Sequence, residues 1–205
     1  MLREAFATAG SAAVPVARLL RATAEAANRQ ILERVEQEPA LKGMGATCTV
    51  LHLGKDQATF VQVADSRFYY LARDGATGTR YMERLTRDQT VNQMLIEPGS
   101  LSQEEADSRG SPLLQAVGRE RLRPDMYIVH RARAEAWLLC SDGLSDVAPE
   151  CGMGAALLDR SRPAEAVCEF LTARANELGS PDNITVIKAR EPDLDGGRSG
   201  RQNQS

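Results

Sequence analysis

The sequence has no surplus of basic residues, no long apolar run and few aromatic side chains. Its 205 residues carry 25 Lys and Arg against 28 Asp and Glu, a net charge of −3. Nucleic-acid binding depends on clustered positive charge, so we expect no DNA or RNA partner. No stretch of about 18 apolar residues could span a membrane, and the N-terminus lacks the apolar segment of a signal peptide. We therefore expect a cytoplasmic protein without a membrane partner.

Paired cysteine spacings are also absent. The four cysteines show no Cys-x-x-Cys pattern, which argues against a zinc site or a disulfide framework. They are most simply core thiols in a reducing compartment. Hydrophobic residues make up 42% of the chain, enough for one buried core, and aromatics only 4%. We expect that core to consist mainly of Leu, Val, Ile and Ala.

The most informative stretch is an apolar run that ends in two carboxylates. Ala136 to Cys140 is too short for a confident helix and is bounded by a glycine turn, which predicts a buried strand. Asp142 then lies at the exit of the strand, next to Gly143, with Asp146 shortly after. Carboxylates held by rigid elements are typical ligands of Mg²⁺ and Mn²⁺. By itself, however, an Asp-Gly pair after a strand is also common turn chemistry.

The same arrangement occurs twice more. Asp65 follows the apolar run Phe60 to Ala64, and Asp182 precedes a run of alternating apolar residues that begins at Ile184. Three acidic corners in one domain suggest that the carboxylates converge on one site. Simpler interpretations stay open: Asp65 could pair with Arg67 in a turn, Asp146 could be a solvated loop acid, and Asp142 and Asp182 could be turn residues.

The remaining pattern predicts an α+β protein. Apolar residues at helical spacing predict helices over 15–35 and 163–178, with a shorter helix near 91–95. Strands are predicted over residues 46–53, 58–64, 67–72, 81–85, 113–117, 127–129 and 136–140, and after Asn183. The first of these read as a meander of adjacent antiparallel strands covered by helices, rather than alternating βαβ units. Residues 191–205 lack apolar periodicity, which predicts a disordered tail.

Six strings occur in a fixed order: GMGATCTVLHL, VADSRFYYLARDG, LTRDQTVNQMLIEPGSLSQEEA, LLQAVG, WLLCSDGLSD and SPDNITVI. In this order and spacing they resemble the metal-dependent protein phosphatases of the type 2C (PPM) family, in its compact bacterial form. The resemblance runs from about Gly43 to Lys188. It implies a β-sandwich of two antiparallel sheets flanked by helices over residues 1–190, with a mobile flap at about 91–124.

The resemblance also implies an activity and a site. The activity is hydrolysis of phosphoserine and phosphothreonine in proteins by a metal-activated water, opposing a Ser/Thr kinase. Asp142 and Asp182 match the catalytic carboxylates that hold one of two Mn²⁺ or Mg²⁺ ions, and Asp65, Asp142 and Asp146 match the ligands of a possible third ion. Gly143, which would let water approach the backbone, Asn183 and Ser66 match supporting residues.

Some family features are absent from this sequence. The family has an acidic residue and a phosphate-binding arginine on its first strand, then an Asp-Gly corner that supplies a bridging metal ligand. Here no Asp-Gly occurs before Asp74, and Glu4 is the only acid ahead of the first helix. We therefore expect an N-terminally truncated domain that lacks these metal-binding strands. Ala64 and Gln89 stand where the family usually has Gly and often has His, which look tolerable.

The missing bridging ligand leaves an alternative function open. Two carboxylates alone hold Mg²⁺ weakly, since the ion keeps most of its waters. The alternative is a catalytically silent, phosphatase-like domain that binds a phosphoprotein or a regulatory partner. A metal-dependent nuclease is a weaker third interpretation because of the acidic net charge.

Overall fold

The computed structural model describes residues 13–96, 98–102 and 111–191. Its helices are α1 (Ala13–Gln37), α2 (Val91–Ile96), α3 (Asp142–Ser145), α4 (Glu150–Leu158) and α5 (Ala164–Glu177). Its strands are β1 (Cys48–Leu53), β2 (Gln57–Val63), β3 (Arg67–Arg73), β4 (Arg80–Arg84), β5 (Asp125–His130), β6 (Ala134–Cys140) and β7 (Val186–Arg190). Short 3-10 turns occur at Pro39–Leu41 and Arg131–Arg133. Most of the predicted tail and part of the predicted flap lie outside the described residues.

The strands form two antiparallel sheets. One has the order β1-β2-β5 and the other the order β4-β3-β6-β7. Strand β2 is buried along nearly its whole length because it is central in its sheet, with α1 packed against that sheet. The predicted α+β fold of two antiparallel sheets with helices is confirmed.

Two details of the predicted strand arrangement were wrong. Strands β2 and β3 do not pair, because the corner between Val63 and Arg67 carries the chain from one sheet to the other. Residues 113–117 form no strand. They make only two isolated bridges, Thr90–Leu113 and Ala46–Val117. Because Thr90 and Ala46 belong to different segments of the chain, no continuous ladder of backbone hydrogen bonds can form.

Most buried hydrophobic residues are Ala, Val, Leu or Ile, as expected, but the bulkiest ones are aromatic. The largest fully buried side chains are Trp137, Tyr69, Phe60 and Phe68. The Phe60 and Phe68 rings meet edge to face at 4.5 Å, and Phe68 stacks on Trp137 at 5.6 Å between ring centroids. The few aromatics are thus concentrated in the core, where their large areas contribute most.

A second core lies between the larger sheet and the helices α3 to α5. It contains Leu138, Leu144, Met153 and Leu171. Helices α3 and α4 were not predicted. In α4, Gly152 and Gly154 argue against a helix. Tertiary burial of Met153 and Leu157 outweighs that low propensity.

The last described residue belongs to the fold rather than to the predicted tail. Glu191 accepts hydrogen bonds of 2.8 Å from Arg131 Nε and from Trp137 Nε1. Residues 192–205 lie outside the described residues. Among the helices that the structure describes, none is long and apolar enough to cross a membrane.

Candidate active site

A cavity of about 860 Å³ lies beside the exits of β2 and β6. Asp65, Asp142 and Asp146 all line it, so three of the four predicted metal ligands share one space. Asp182 is not among its lining residues, and it is exposed. The structure thus gathers most of the predicted carboxylates, while their roles as ligands stay predictions.

The Asp142 and Asp182 corners are held together by their own neighbours. Ser141 Oγ donates to the Asn183 carbonyl at 3.1 Å and accepts from the Thr185 amide at 2.9 Å. The Ser141 amide also donates to the Thr185 carbonyl at 3.0 Å. These bonds join the end of β6 to the start of β7 and keep the two acidic corners side by side.

Gly143 serves this contact between the two corners. A Cβ at Gly143 would lie 2.5 Å from the Asn183 carbonyl oxygen, closer than any side chain could approach. Ser180 Oγ donates to the Gly143 carbonyl at 2.7 Å from the same loop. The close approach at Gly143 is therefore to the Asn183 backbone, and the approach of water that the resemblance implied stays a prediction. The Asn183 amide donates to Asp182 Oδ1 at 2.6 Å, and a supporting role for Asn183 stays a prediction.

The Asp65 corner is built differently. Ala64, just before Asp65, has a φ of +79° and is fully buried. Ser66 Oγ donates to Thr47 Oγ1 at 3.0 Å, so the predicted supporting residue Ser66 ties the corner to the segment before β1. Asp65 itself is half-buried and borders the cavity.

Electrostatic repulsion is visible at Asp65. Burial and then the nearby Asp142 carboxylate, with smaller contributions from Asp88 and Asp146, raise the pKa of its carboxyl to about 6, although a backbone hydrogen bond opposes the rise. Both effects disfavour a second negative charge in the same space. The cavity therefore carries acidic charge that a cation would offset.

The suggested turn pair between Asp65 and Arg67 is wrong. Arg67 instead forms a two-pronged ion pair with Asp88, with Nη2 2.8 Å and Nε 3.1 Å from Oδ2. Burial disfavours the charged guanidinium, but the hydrogen bond and charge of Asp88 outweigh it and hold the pKa of Arg67 above its ordinary value. Arg84 Nη2 lies 2.6 Å from Asp88 Oδ1 without hydrogen-bonding alignment, so that contact is chiefly electrostatic.

Arg67 also connects the two sides of the cavity. Its Nη1 donates to the Ser145 carbonyl in α3 at 3.2 Å, and its Nη2 lies 4.0 Å from Asp146 Oδ1. The sequence suggested Arg67 only as a turn partner of Asp65, and Asp88 had no predicted role. Both lie within the strings that carry the resemblance, but no local pattern reveals which acid pairs with which base.

The donor atoms fit a hard divalent cation, but loosely. Carboxylate oxygens are the ligands that Mg²⁺ and Mn²⁺ prefer, and Asp65, Asp142 and Asp146 line one cavity. Within the described ranges, no three His, Cys, Asp or Glu side chains are grouped closely enough to hold an ion as they stand. The residues therefore fit a weak site in which water completes the coordination.

Known proteins resemble this chain in sequence and structure. A serine/threonine phosphatase, stp, of Listeria innocua is 34% identical over 171 residues, which are 82% of this chain and 65% of that protein. The crystal structure of the Mycobacterium tuberculosis serine/threonine phosphatase PstP/Ppp is 32% identical, with a TM-score of 0.69, over 80% of this chain and 67% of that one.

A PstP catalytic domain solved in complex with two manganese ions is 34% identical, with a TM-score of 0.68, over 80% of this chain and 66% of that one. The chain thus spans slightly less than two thirds of the listerial relative's length. No protein-family model matches the chain.

Proposed function

Because this chain belongs to the type 2C (PPM) family of bacterial serine/threonine phosphatases, we propose that it carries the metal-dependent phosphatase activity of that family. The reaction is hydrolysis of phosphoserine and phosphothreonine in a protein substrate. The observation that supports it most directly is the shared cavity of Asp65, Asp142 and Asp146. Neither a nucleophilic serine nor a cysteine is needed for this chemistry.

We assign the cation to the carboxylates that line the cavity and to Asp182 at the neighbouring corner. Asp142 and Asp182 would hold one ion, and Asp65 with Asp146 would contribute to a further, weaker site. When bound, divalent ions generate a nucleophile from water near neutral pH and offset the charge of the phosphoryl oxygens. Mn²⁺ or Mg²⁺ is the expected ion, because the donors are hard oxygens.

The protein's own contribution is to place these carboxylates. The bonds from Ser141 and the contact at Gly143 keep Asp142 beside the Asp182 corner. The Arg67–Asp88 pair, through the Ser145 carbonyl, holds the α3 turn against the cavity wall. Rigid placement of this kind is what allows few ligands to hold an ion at all.

The expected substrate is a phosphorylated segment of another protein. The described cavity has room for a phosphorylated side chain, and its wall includes Thr90, Asn92 and Ser111 as hydrogen-bonding groups. An opposing Ser/Thr kinase and a cytoplasmic location stay predictions. The catalytically silent alternative is not favoured, since the relatives are named phosphatases.

Hydrolysis of a phosphothreonine peptide by the purified chain tests this function. We expect turnover in about millimolar Mn²⁺, none in EDTA, and a loss of at least about a hundredfold in Asp142→Asn. Asp74→Asn is the matched control, because Asp74 is exposed and only caps the β3–β4 turn. Mn²⁺-independent turnover, or full activity in Asp142→Asn, would contradict the proposal. A folded, inactive chain would support the silent, partner-binding alternative.

A further inference from the structure

The direction of Asp65 depends on an unusual backbone conformation at the residue before it. Ala64 has a φ of +79°, and among the described residues it is the only one other than glycine with a positive φ. A Cβ makes this conformation unfavourable, so contacts from elsewhere must hold it. Ala64 also lies where the chain passes from one sheet to the other, between β2 and β3.

Gln89 supplies such contacts from both sides of the Ala64 residue. Its side-chain Oε1 accepts from the Ala64 amide at 2.7 Å. Its backbone amide donates to the Ala64 carbonyl at 3.1 Å. One residue, 25 positions along the chain, therefore engages both polar backbone groups of Ala64.

The Gln89 side chain is itself held in place. Its Nε2 donates to Asp125 Oδ2 at 2.9 Å and to the Arg123 carbonyl at 3.3 Å. Asp125 begins β5 and lies opposite Gln62 of β2 in the smaller sheet. Gln62 completes the corner, because its Nε2 donates to the Ala64 carbonyl at 3.0 Å. The Gln89 amide is thus oriented so that its oxygen faces the Ala64 amide.

We propose that Gln89 is a positioning residue, which keeps Ala64 in the left-handed conformation and thereby directs the Asp65 carboxylate into the cavity. The inference rests on the proposed function, in which Asp65 contributes to cation binding. The importance of Gln89 should therefore depend on which residue stands at position 64. Glycine at position 64 would reach the same φ without support, so it should make Gln89 less important.

Mn²⁺ binding, measured by electron paramagnetic resonance and by calorimetry, tests this dependence. We expect Gln89→Ala to weaken Mn²⁺ binding about tenfold, as losses of residues that orient a ligand commonly do. In the Ala64→Gly background the same substitution should weaken binding less than about threefold. Gln89→His should restore binding, since a neutral imidazole offers one acceptor and one donor nitrogen.

Gln115→Ala is the matched control. Gln115 Oε1 also accepts a backbone hydrogen bond, from the Arg123 amide at 2.9 Å, but it does not contact Ala64. This variant should keep Mn²⁺ affinity within about twofold, since it leaves every hydrogen bond to Ala64 in place. An equal loss of affinity from Gln89→Ala with Ala or Gly at position 64 would overturn the inference, because a general structural role predicts that result. Unchanged affinity in Gln89→Ala would overturn it as well.

Two further readouts separate this inference from the proposed function. The exchange rate of the Ala64 amide hydrogen and the carboxyl ¹³C shift of Asp65 report on the corner without added metal. Both should change in Gln89→Ala and stay unchanged in Gln115→Ala. If the wild-type chain binds no Mn²⁺, the proposed function fails, and these two readouts decide whether Gln89 positions the corner.

Discussion

The acidic corners of the cavity are stabilised in two different ways. The Asp142 and Asp182 corners are joined by residues within their own strings, through Ser141, Gly143 and the Asn183 carbonyl. The Asp65 corner is held by Gln89 from a distant segment, around a strained Ala64. The first arrangement joins the ends of two neighbouring strands of one sheet, β6 and β7, whereas the second exists only once the two sheets have come together.

Arg67 makes the two arrangements dependent on each other. It follows the Asp65 corner directly, pairs with Asp88, and donates to the Ser145 carbonyl in the α3 turn that begins with Asp142. A substitution at one corner should therefore affect that corner alone, whereas a substitution that breaks the Arg67 link should affect both corners. Four predictions, from the largest expected effect to the smallest, test that distinction.

Loss of the Asp88 charge should affect both corners. Asp88→Asn removes the carboxylate 2.8 Å from the largely buried Arg67 guanidinium and leaves only Asp146, whose Oδ1 lies 4.0 Å away. We expect the free energy of unfolding to fall by about 3 kcal/mol, because an unpaired buried charge is costly. Urea denaturation measures it, with Glu25→Gln as control, since Glu25 pairs with Arg21 on the exposed face of α1. A loss no larger than that of the control would show that Arg67 has another partner.

Gly143→Ala should disrupt only the contact between Gly143 and the Asn183 backbone, which joins the Asp142 and Asp182 corners. The added Cβ meets the Asn183 carbonyl, a backbone atom that cannot move aside like a flexible side chain. We expect a destabilisation of about 2 kcal/mol and a loss of Mn²⁺ binding. Gly152→Ala is the control, since its Cβ would meet only Pro149 Cγ at 3.8 Å within α4. That helical substitution should be neutral or slightly stabilising in thermal denaturation. Equal behaviour of the two variants would contradict the close contact.

Ala64→Gly should stabilise the Asp65 corner. Relief of the left-handed strain, of about 1 kcal/mol, exceeds the extra chain entropy of glycine, so we expect a gain of about 0.5 kcal/mol. Ala58→Gly in the extended part of β2 should destabilise the protein by about 1 kcal/mol, because no strain is relieved there. Chemical denaturation measures the free energy of unfolding of both variants. A loss of stability in Ala64→Gly would show that Ala64 is not strained.

Protonation of Glu191, which lies away from the cavity, should leave both corners intact. The hydrogen bonds and charge of Arg131 hold the pKa of Glu191 below its ordinary value of 4.5, although partial burial opposes this. A depressed carboxyl pKa stabilises the fold above about pH 4.5, and that stabilisation is lost as the pH falls further. The melting temperature of the wild type should therefore drop more between pH 6 and pH 3.5 than that of Glu191→Gln. At pH 6 the Mn²⁺ affinity of the two proteins should be the same.

Much of the architecture was predictable because hydrophobic periodicity is a local property. The strand that leads to Asp142 and the helix α5 appear within a residue or two of the expected bounds. Helix α4 was missed because its glycines conceal it, and its stability comes from burial of Met153. Residues 113–117 were mistaken for a strand because an apolar run alone cannot show whether a continuous partner exists.

The sequence by itself determined the acidic corners, since each carboxylate follows or precedes a short apolar run with turn residues beside it. It also placed a glycine at position 143, but the tertiary structure decided that the Asn183 carbonyl packs against it. The tertiary structure decided that Arg67 pairs with Asp88 rather than Asp65, and that Gln89 supports Ala64. Those choices depend on burial and on distances between segments far apart in the chain, and such distances exist only after the sheets pack together.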